Sequence, residues 1–169
     1  HKLEYRGYDS AGVTLVDKDK LFTIKAKGRL QNLVDRLDQA VPSGRVGIGH
    51  TRWATHGVPS NLNSHPHTNN DNTISLVHNG IIENYRELKE KLIAKGYTFH
   101  SETDSEVVVH LLDSYYQGNM LEALRKVINR IEGSYALCIV STLEPDTVYV
   151  TKKDSPLVLG TNDDASFGA

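Results

Sequence analysis

Six residues able to bind or catalyse fall between positions 50 and 56, in the run His50-Thr51-Arg52-Trp53-Ala54-Thr55-His56-Gly57-Val58-Pro59-Ser60. The run sets a fixed cation, a large aromatic, hydroxyls and imidazoles ahead of a Gly-Val-Pro-Ser breaker. It is expected to be a strand, with Val46 and Ile48 supplying the alternation, that opens into a binding loop. The planar fork of Arg52 suits a carboxylate or phosphate gripped through two parallel hydrogen bonds. Asp104, in Ser101-Glu102-Thr103-Asp104, offers the opposite charge. An amino acid carries one carboxylate and one ammonium, and Arg52 with Asp104 matches both. Asn79-Gly80 offers a side-chain amide and an unhindered backbone N–H, the two donors that an oxyanion hole needs.

Each group also has a plainer use. Arg52 and Trp53 can pair with a neighbouring acid and pack on the surface. Asn-Gly after the apolar run Thr73–Val77 favours a turn on local grounds. The polar run Ser101–Glu106 can cap the helix that follows.

Other chemistries are poorly served. His50, His56, His65, His67 and His78 crowd the middle of the chain, but there is no Cys-x-x-Cys, His-Glu-x-x-His or dense carboxylate box, so no metal is expected. Walker and dinucleotide fingerprints are absent as well, and no cofactor is expected. Acyl or amide transfer would need an activated nucleophile. Cys138 lies among Ala136, Leu137, Ile139 and Val140, where nothing would lower its pKa, so it is expected to be a structural thiol. No Gly-x-Ser-x-Gly elbow occurs. Donors, a cation and an anion are present without a nucleophile to serve them.

The elements that must position these groups follow from periodicity. Val13–Val16 and Leu21–Lys27 predict two strands joined by a turn at 17–20, and Leu30, Leu33, Val34 and Leu37 predict a short helix before Pro42. Asn61–Asn72 has loop chemistry. Three amphipathic helices follow: one on Tyr85, Leu88, Leu92 and Ile93, stopped by Gly96; one on Val107, Val108, Leu111, Leu112 and Tyr115; one on Leu121, Leu124, Val127, Ile128 and Ile131, stopped by Gly133. Strands return at Tyr135–Ser141, Thr147–Thr151 and Leu157–Gly160, and Ser166–Ala169 looks like loop. Hairpins with grouped helices predict an α+β layered sandwich and not a doubly wound parallel sheet.

The totals agree with a single domain. With 169 residues, 38% apolar and 24% charged, the chain is long enough for a core and too apolar for disorder. A net charge of −2 gives no footprint for nucleic acid or an anionic membrane. No bilayer-length apolar run or signal peptide is present, and one cysteine suits a reducing cytosol, so the expected location is cytoplasmic. The chain opens on His1-Lys2-Leu3 and closes on Ser166-Phe167-Gly168-Ala169, which suggests a piece of a longer polypeptide, truncated at both ends.

Four motifs in order carry a family resemblance: Leu3-Glu4-Tyr5-Arg6-Gly7-Tyr8-Asp9-Ser10-Ala11-Gly12, His50–Gly57, His78-Asn79-Gly80-Ile81-Ile82-Glu83-Asn84, and Ser101–Asp104. Together they resemble the glutaminase domains of glucosamine-6-phosphate synthases, the glutamine–fructose-6-phosphate aminotransferases (isomerizing) of hexosamine biosynthesis, which are class II glutamine amidotransferases. Thr-Arg-Trp-Ala-Thr-His-Gly and Ser-Glu-Thr-Asp fit these better than the related amidophosphoribosyltransferases. The resemblance implies an N-terminal nucleophile hydrolase fold, a four-layer αββα sandwich of two mostly antiparallel sheets with helices on both outer faces. It implies hydrolysis of L-glutamine to glutamate and ammonia, with ammonia passed to fructose 6-phosphate.

Carried onto this sequence, Arg52 would bind the glutamine α-carboxylate and Asp104 its α-amino group. Asn79 and Gly80 would form the oxyanion hole. Trp53, Thr55 and His56 would line the glutamine loop, Arg6 and Gly7 would orient the nucleophile, and His65 would be a pocket neighbour. In the family the nucleophile is a cysteine at the start of the mature chain, with its own α-amino group as base. Residues 1–169 are therefore expected to be an incomplete glutaminase domain, inactive alone, without the sugar isomerase domain that completes the parent enzyme, itself expected to be a homodimer. A different class of function, a non-catalytic glutamine- or amino-acid-binding module that keeps the clamp, is the alternative.

Overall fold

A computed structural model of the chain describes residues 7–39, 43–53 and 56–169. Three sheets form. The first has the order β2-β1-β3, from β1 (Ser10–Asp17), β2 (Lys20–Lys27) and β3 (Val46–Arg52). The second has the order β4-β5-β6-β7, from β4 (His67–Thr68), β5 (Ile74–Ile82), β6 (Gly133–Ser141) and β7 (Tyr149–Lys153). All their pairings are antiparallel. A small hairpin, β8 (Leu159–Thr161) with β9 (Ser166–Gly168), completes the set.

Alternation along the strands builds the layers, because successive side chains point to opposite faces. One face of the first sheet carries Ala11 and Ala26, with Val13 and Ile24, against Leu33 of α1 (Leu30–Leu37). The opposite face carries Val16, Leu21 and Ile48, which meet Val77 and Val140 of the second sheet. The far side of that second sheet, with Ile74, Leu76, Ile82, Leu137 and Ile139, is covered by Leu88 and Leu92 of α2 (Tyr85–Ala94), Val107–Leu112 of α3 (Glu106–Tyr115) and Met120, Leu124 and Val127 of α4 (Met120–Ile128). Helix, sheet, sheet and helices give the four-layer αββα sandwich expected from sequence. Asn119 caps α4 by accepting from Glu122 N at 3.0 Å, and Gly96, at φ +94°, follows α2 in the left-handed conformation that ends helices.

Several local expectations are corrected. Asn79-Gly80 is not a turn: β5 runs through it, paired with β6 from Ile74↔Ser141 to Ile82↔Gly133. Gly80 sits at φ +128°, and a Cβ there would lie 2.1 Å from Ser134 O. Nine registered partners outweigh the dipeptide's turn preference, and glycine lets the strand kink without breaking. Ser166–Gly168 is strand β9, and His67–Thr68 a two-residue strand inside the expected loop. Gly133 opens β6, while α4 already ends at Ile128. Ile93 and Leu121 face solvent, the helix faces being set by Leu88 and Leu92 and by Met120, Ala123, Leu124 and Val127. The polar run 101–106 does not cap α3 through Ser105, which makes no side-chain cap bond.

Candidate functional site

The apolar seam between the two sheets turns polar at one end. Ile48 lies in the inter-sheet cluster, and two and four residues later the same face of β3 presents His50 and Arg52. Across the gap, Val77 of β5 lies in the cluster and Asn79 follows two residues on. These polar residues line a cavity of about 150 Å³ together with Trp53, His56, Gly80 and Asp104.

Two loops close the cavity and are tied to each other. Asn63 Nδ2 donates to Val58 O at 2.8 Å and to Glu102 Oε2 at 3.1 Å, while Glu102 N donates to Asn63 Oδ1 at 2.9 Å. Lys25 Nζ, on β2, donates to Leu62 O and Pro66 O. The segment 57–66 is thus pinned to the first sheet and to the segment carrying Asp104. Gly12 of β1 makes room for it, since a Cβ there would fall 2.2 Å from His65 O.

Arg52 is 3% exposed. Its Nη2 donates to Gly57 O at 2.9 Å and to His56 O, folding the loop back over the strand end. Its Nη1 lies 3.7 Å from Asp9 Oδ1 and has no hydrogen-bond acceptor among the described residues. Burial lowers the guanidinium pKa, opposed by the charges of Asp9 and Asp104. Asp104, also 3% exposed, accepts from Ile82 N at 2.7 Å through Oδ2. Its Oδ1 faces the His56 ring at 3.9 Å. A buried cation and a buried anion therefore border one small cavity, and Arg52 Nη1 has no hydrogen-bond acceptor there among the described residues. Such groups bind strongly to a complementary charge, because leaving them unpaired in the interior costs several kcal/mol.

The other sequence-derived positions fall as follows. Asn79 and Gly80 are exposed at the cavity wall. Trp53 is 61% exposed at its mouth, edge-on to Tyr8 with ring centroids 5.4 Å apart. His56 packs edge-on against Tyr85 at 5.5 Å. Gly7 is buried. Arg6 and Thr55 lie outside the described residues. His65 is buried and lines the cavity, between the rings of His50 (4.4 Å) and His67 (4.7 Å). Burial, with His50 next, holds His65 neutral well below the usual imidazole range. Among the described residues no group of His, Cys, Asp or Glu is arranged to hold a metal ion.

Cys138 is not at this site. It lines a separate cavity of about 900 Å³ beside β3, β7 and the β8–β9 hairpin. Burial raises its thiol pKa, which removes nucleophilic character.

Sequence reasoning missed the groups that hold the site together. His50 Nε2 lies 2.6 Å from Asn79 Oδ1. His78 Nδ1 lies 2.8 Å from Ser105 Oγ. Glu106 accepts from Ser101 Oγ (2.6 Å), Ser101 N (2.7 Å) and His100 N (2.9 Å), which sets the segment from which Asp104 projects. Burial pushes the Glu106 carboxyl up, but His110 and these donors outweigh it and hold the group at about 2. The period-two spacing of Ile48, His50 and Arg52 was the available signal for His50.

Residues 50–168 match a family model described as a glutamine amidotransferase domain. The chain belongs to this glutamine amidotransferase family. It is 58% identical over 166 residues to the glutamine–fructose-6-phosphate aminotransferase [isomerizing] of Clostridium acetobutylicum, covering 98% of this chain and 27% of that protein. The corresponding enzyme of Thermococcus kodakarensis is 51% identical over 170 residues, 99% of this chain and 28% of that protein. The chain thus spans little more than a quarter of the length of these relatives. Among solved structures, the glutamine phosphoribosylpyrophosphate amidotransferase of B. subtilis, complexed with ADP and GMP, superposes with TM-score 0.83 at 27% identity, over 98% of this chain and 36% of that one. A glutamine aminotransferase class-II domain protein of Silicibacter pomeroyi shares the fold at TM-score 0.64 and 15% identity, over 95% of this chain and 79% of that one. These amidotransferases share the antiparallel two-sheet architecture, so the fold class expected from sequence is the one observed. No helix among the described residues is long and apolar enough to cross a membrane.

Proposed function

We propose that this chain is the glutamine-hydrolysing part of a glutamine–fructose-6-phosphate aminotransferase, binding L-glutamine in the cavity between β3, β5 and the segment before α3. The observation that carries this is the convergence of Arg52 and Asp104, from separate layers of the sandwich, with Asn79 and Gly80 on one cavity of about 150 Å³. Arg52 takes the α-carboxylate through Nη1, and Asp104 takes the α-ammonium. With both ends of the amino acid held, its side-chain amide extends towards Asn79 and Gly80. Trp53, His56 and His65 line the substrate cavity, and Gly7 and Arg6 are assigned to orienting the nucleophile and Thr55 to the glutamine loop on the family resemblance.

In the reaction a thiolate attacks the amide carbon, and the carbonyl oxygen becomes an oxyanion that takes hydrogen bonds from the Asn79 side chain and Gly80 N–H. Ammonia leaves, and water hydrolyses the resulting thioester to glutamate, so that glutamine and water give glutamate and ammonia. Cys138, the one cysteine of the sequence, is outside the site and takes no part. The attacking thiol is assigned to a cysteine beyond these 169 residues, and transfer of ammonia to fructose 6-phosphate to a sugar isomerase domain of the same polypeptide.

The test is Asn79→Ala in the full-length enzyme. Losing one oxyanion donor costs about 2.7–4 kcal/mol of transition-state stabilisation, a fall of roughly 10²–10³ in kcat. Glutamine affinity should change little, because the donor acts on charge that develops only during reaction. A variant that keeps turnover and loses affinity removes Asn79 from this role.

A further inference from the structure

An amide side chain helps an oxyanion only through its nitrogen, so Asn79 is useful in one of its two flipped orientations. What selects that orientation is a contact from the opposite sheet. His50 on β3 and Asn79 on β5 meet across the seam, Nε2 to Oδ1, at 2.6 Å. The other ring nitrogen of His50, Nδ1, is buried and has no hydrogen-bond partner among the described residues. Its neighbour is the edge-on ring of His65, 4.4 Å between centroids.

A neutral imidazole carries its single N–H on one nitrogen or the other. A proton on Nδ1 would bury a donor with nothing to accept it and would set the Nε2 lone pair against the Asn79 oxygen. A proton on Nε2 makes the short bond and leaves only an unfilled acceptor behind. The second arrangement wins, because an orphaned buried donor is the rarer and costlier defect. We propose that His50 is a positioning residue for Asn79: its Nε2–H holds the amide oxygen, so that the amide nitrogen and its two hydrogens face the cavity. This rests on the reading of Asn79 as an oxyanion donor and adds what orients it. Burial lowers the His50 pKa, opposed by the bond to Asn79. Both protonation states donate from Nε2, so the orientation does not depend on pH.

The experiment is a double-mutant cycle in the full-length enzyme with His50→Leu, His50→Gln, Asn79→Ala and the double variant His50→Leu/Asn79→Ala. Glutaminase kcat and glutamine KM are the readouts. His50→Leu should lower kcat about tenfold, the scale of one net hydrogen bond, with KM within twofold. His50→Gln, whose Nε2 can donate to the same oxygen, should recover most of the loss. In the Asn79→Ala background His50→Leu should cost nothing further. An equal loss in that background, or His50→Gln no better than His50→Leu, overturns the proposal. If Asn79→Ala itself leaves kcat unchanged, the oxyanion assignment has failed instead, and that single variant shows it. Because His50→Leu can also weaken folding, a second measurement uses the unaltered protein. Long-range ¹H–¹⁵N spectra of the His50 ring should show the proton on Nε2, in slow exchange with solvent, and a proton on Nδ1 overturns the proposal.

Discussion

Asp104→Asn isolates a charge without changing a shape. Asp104 is buried, and its Oδ2 accepts from Ile82 N at 2.7 Å. An asparagine oxygen can keep that bond, so the link between the 101–105 segment and β5 should survive. What disappears is the negative charge assigned to the substrate ammonium. A hydrogen bond to a charged partner contributes about 1.5–3 kcal/mol net, and each 1.4 kcal/mol is tenfold in affinity. The glutamine Kd should therefore rise roughly 10- to 150-fold. Removing a buried carboxylate also removes its desolvation cost, so the unfolding temperature should not fall in step with affinity. Calorimetric titration with L-glutamine measures the effect. The decisive control is glutaramate, which is glutamine without its α-amino group. It should bind wild type and variant equally weakly, because it has no ammonium for Asp104 to hold. Unchanged glutamine affinity in the variant, with an unchanged melting temperature, would refute the clamp. An equal loss for glutaramate would refute it too, by placing the effect in the shape of the pocket.

Two further expectations concern the frame around the site. Gly80→Ala should destabilise the fold by at least about 2 kcal/mol, from left-handed strain plus a backbone overlap, since the new Cβ would meet Ser134 O at 2.1 Å. Gly96→Ala, also at positive φ but with open space around it, should cost only about 1 kcal/mol, and equal urea midpoints for the two variants would contradict this. Stability should also fall as pH is lowered from 6.5 towards 4. Burial holds His78 at about 4 against an ordinary 6.5 and lowers His65 and His67 as well, so the unfolded chain binds more protons in that window and stability rises with pH across it. Glu106, held at about 2 against an ordinary 4.5, extends the loss below pH 4.5. Urea midpoints at pH 7, 5.5 and 4.5 check the sign, and a flat or inverted series would show that the buried imidazoles are not neutral in the folded state.

The parts of the site that were legible in sequence are those whose usefulness lies in the residue itself. Arg52 is a cation and Asp104 an anion wherever the chain takes them, so their match to an amino acid needs no coordinates. Layer order was legible for a related reason: period-two strands and period-3.6 helices declare which face is buried, and Val13, Val16, Leu33 and Leu88 behave as their spacing requires. Orientation is different, because it depends on partners far off in the chain. Asn79-Gly80 has the local chemistry of a turn, and only its pairing with Ser134–Ala136 keeps it in a strand. Asp104 and Ser105 have the local chemistry of caps, yet their side chains are taken by Ile82 and His78 of the neighbouring sheet. His50, one of five histidines between positions 50 and 78, had no partner legible in the sequence; β5 places an amide oxygen 2.6 Å away. A local propensity of about 1 kcal/mol loses to a strand pairing or a buried hydrogen-bond network that contributes several times as much. Sequence reasoning therefore fails where a side chain's long-range partner decides what it does, and here those places are the wall of the cavity itself.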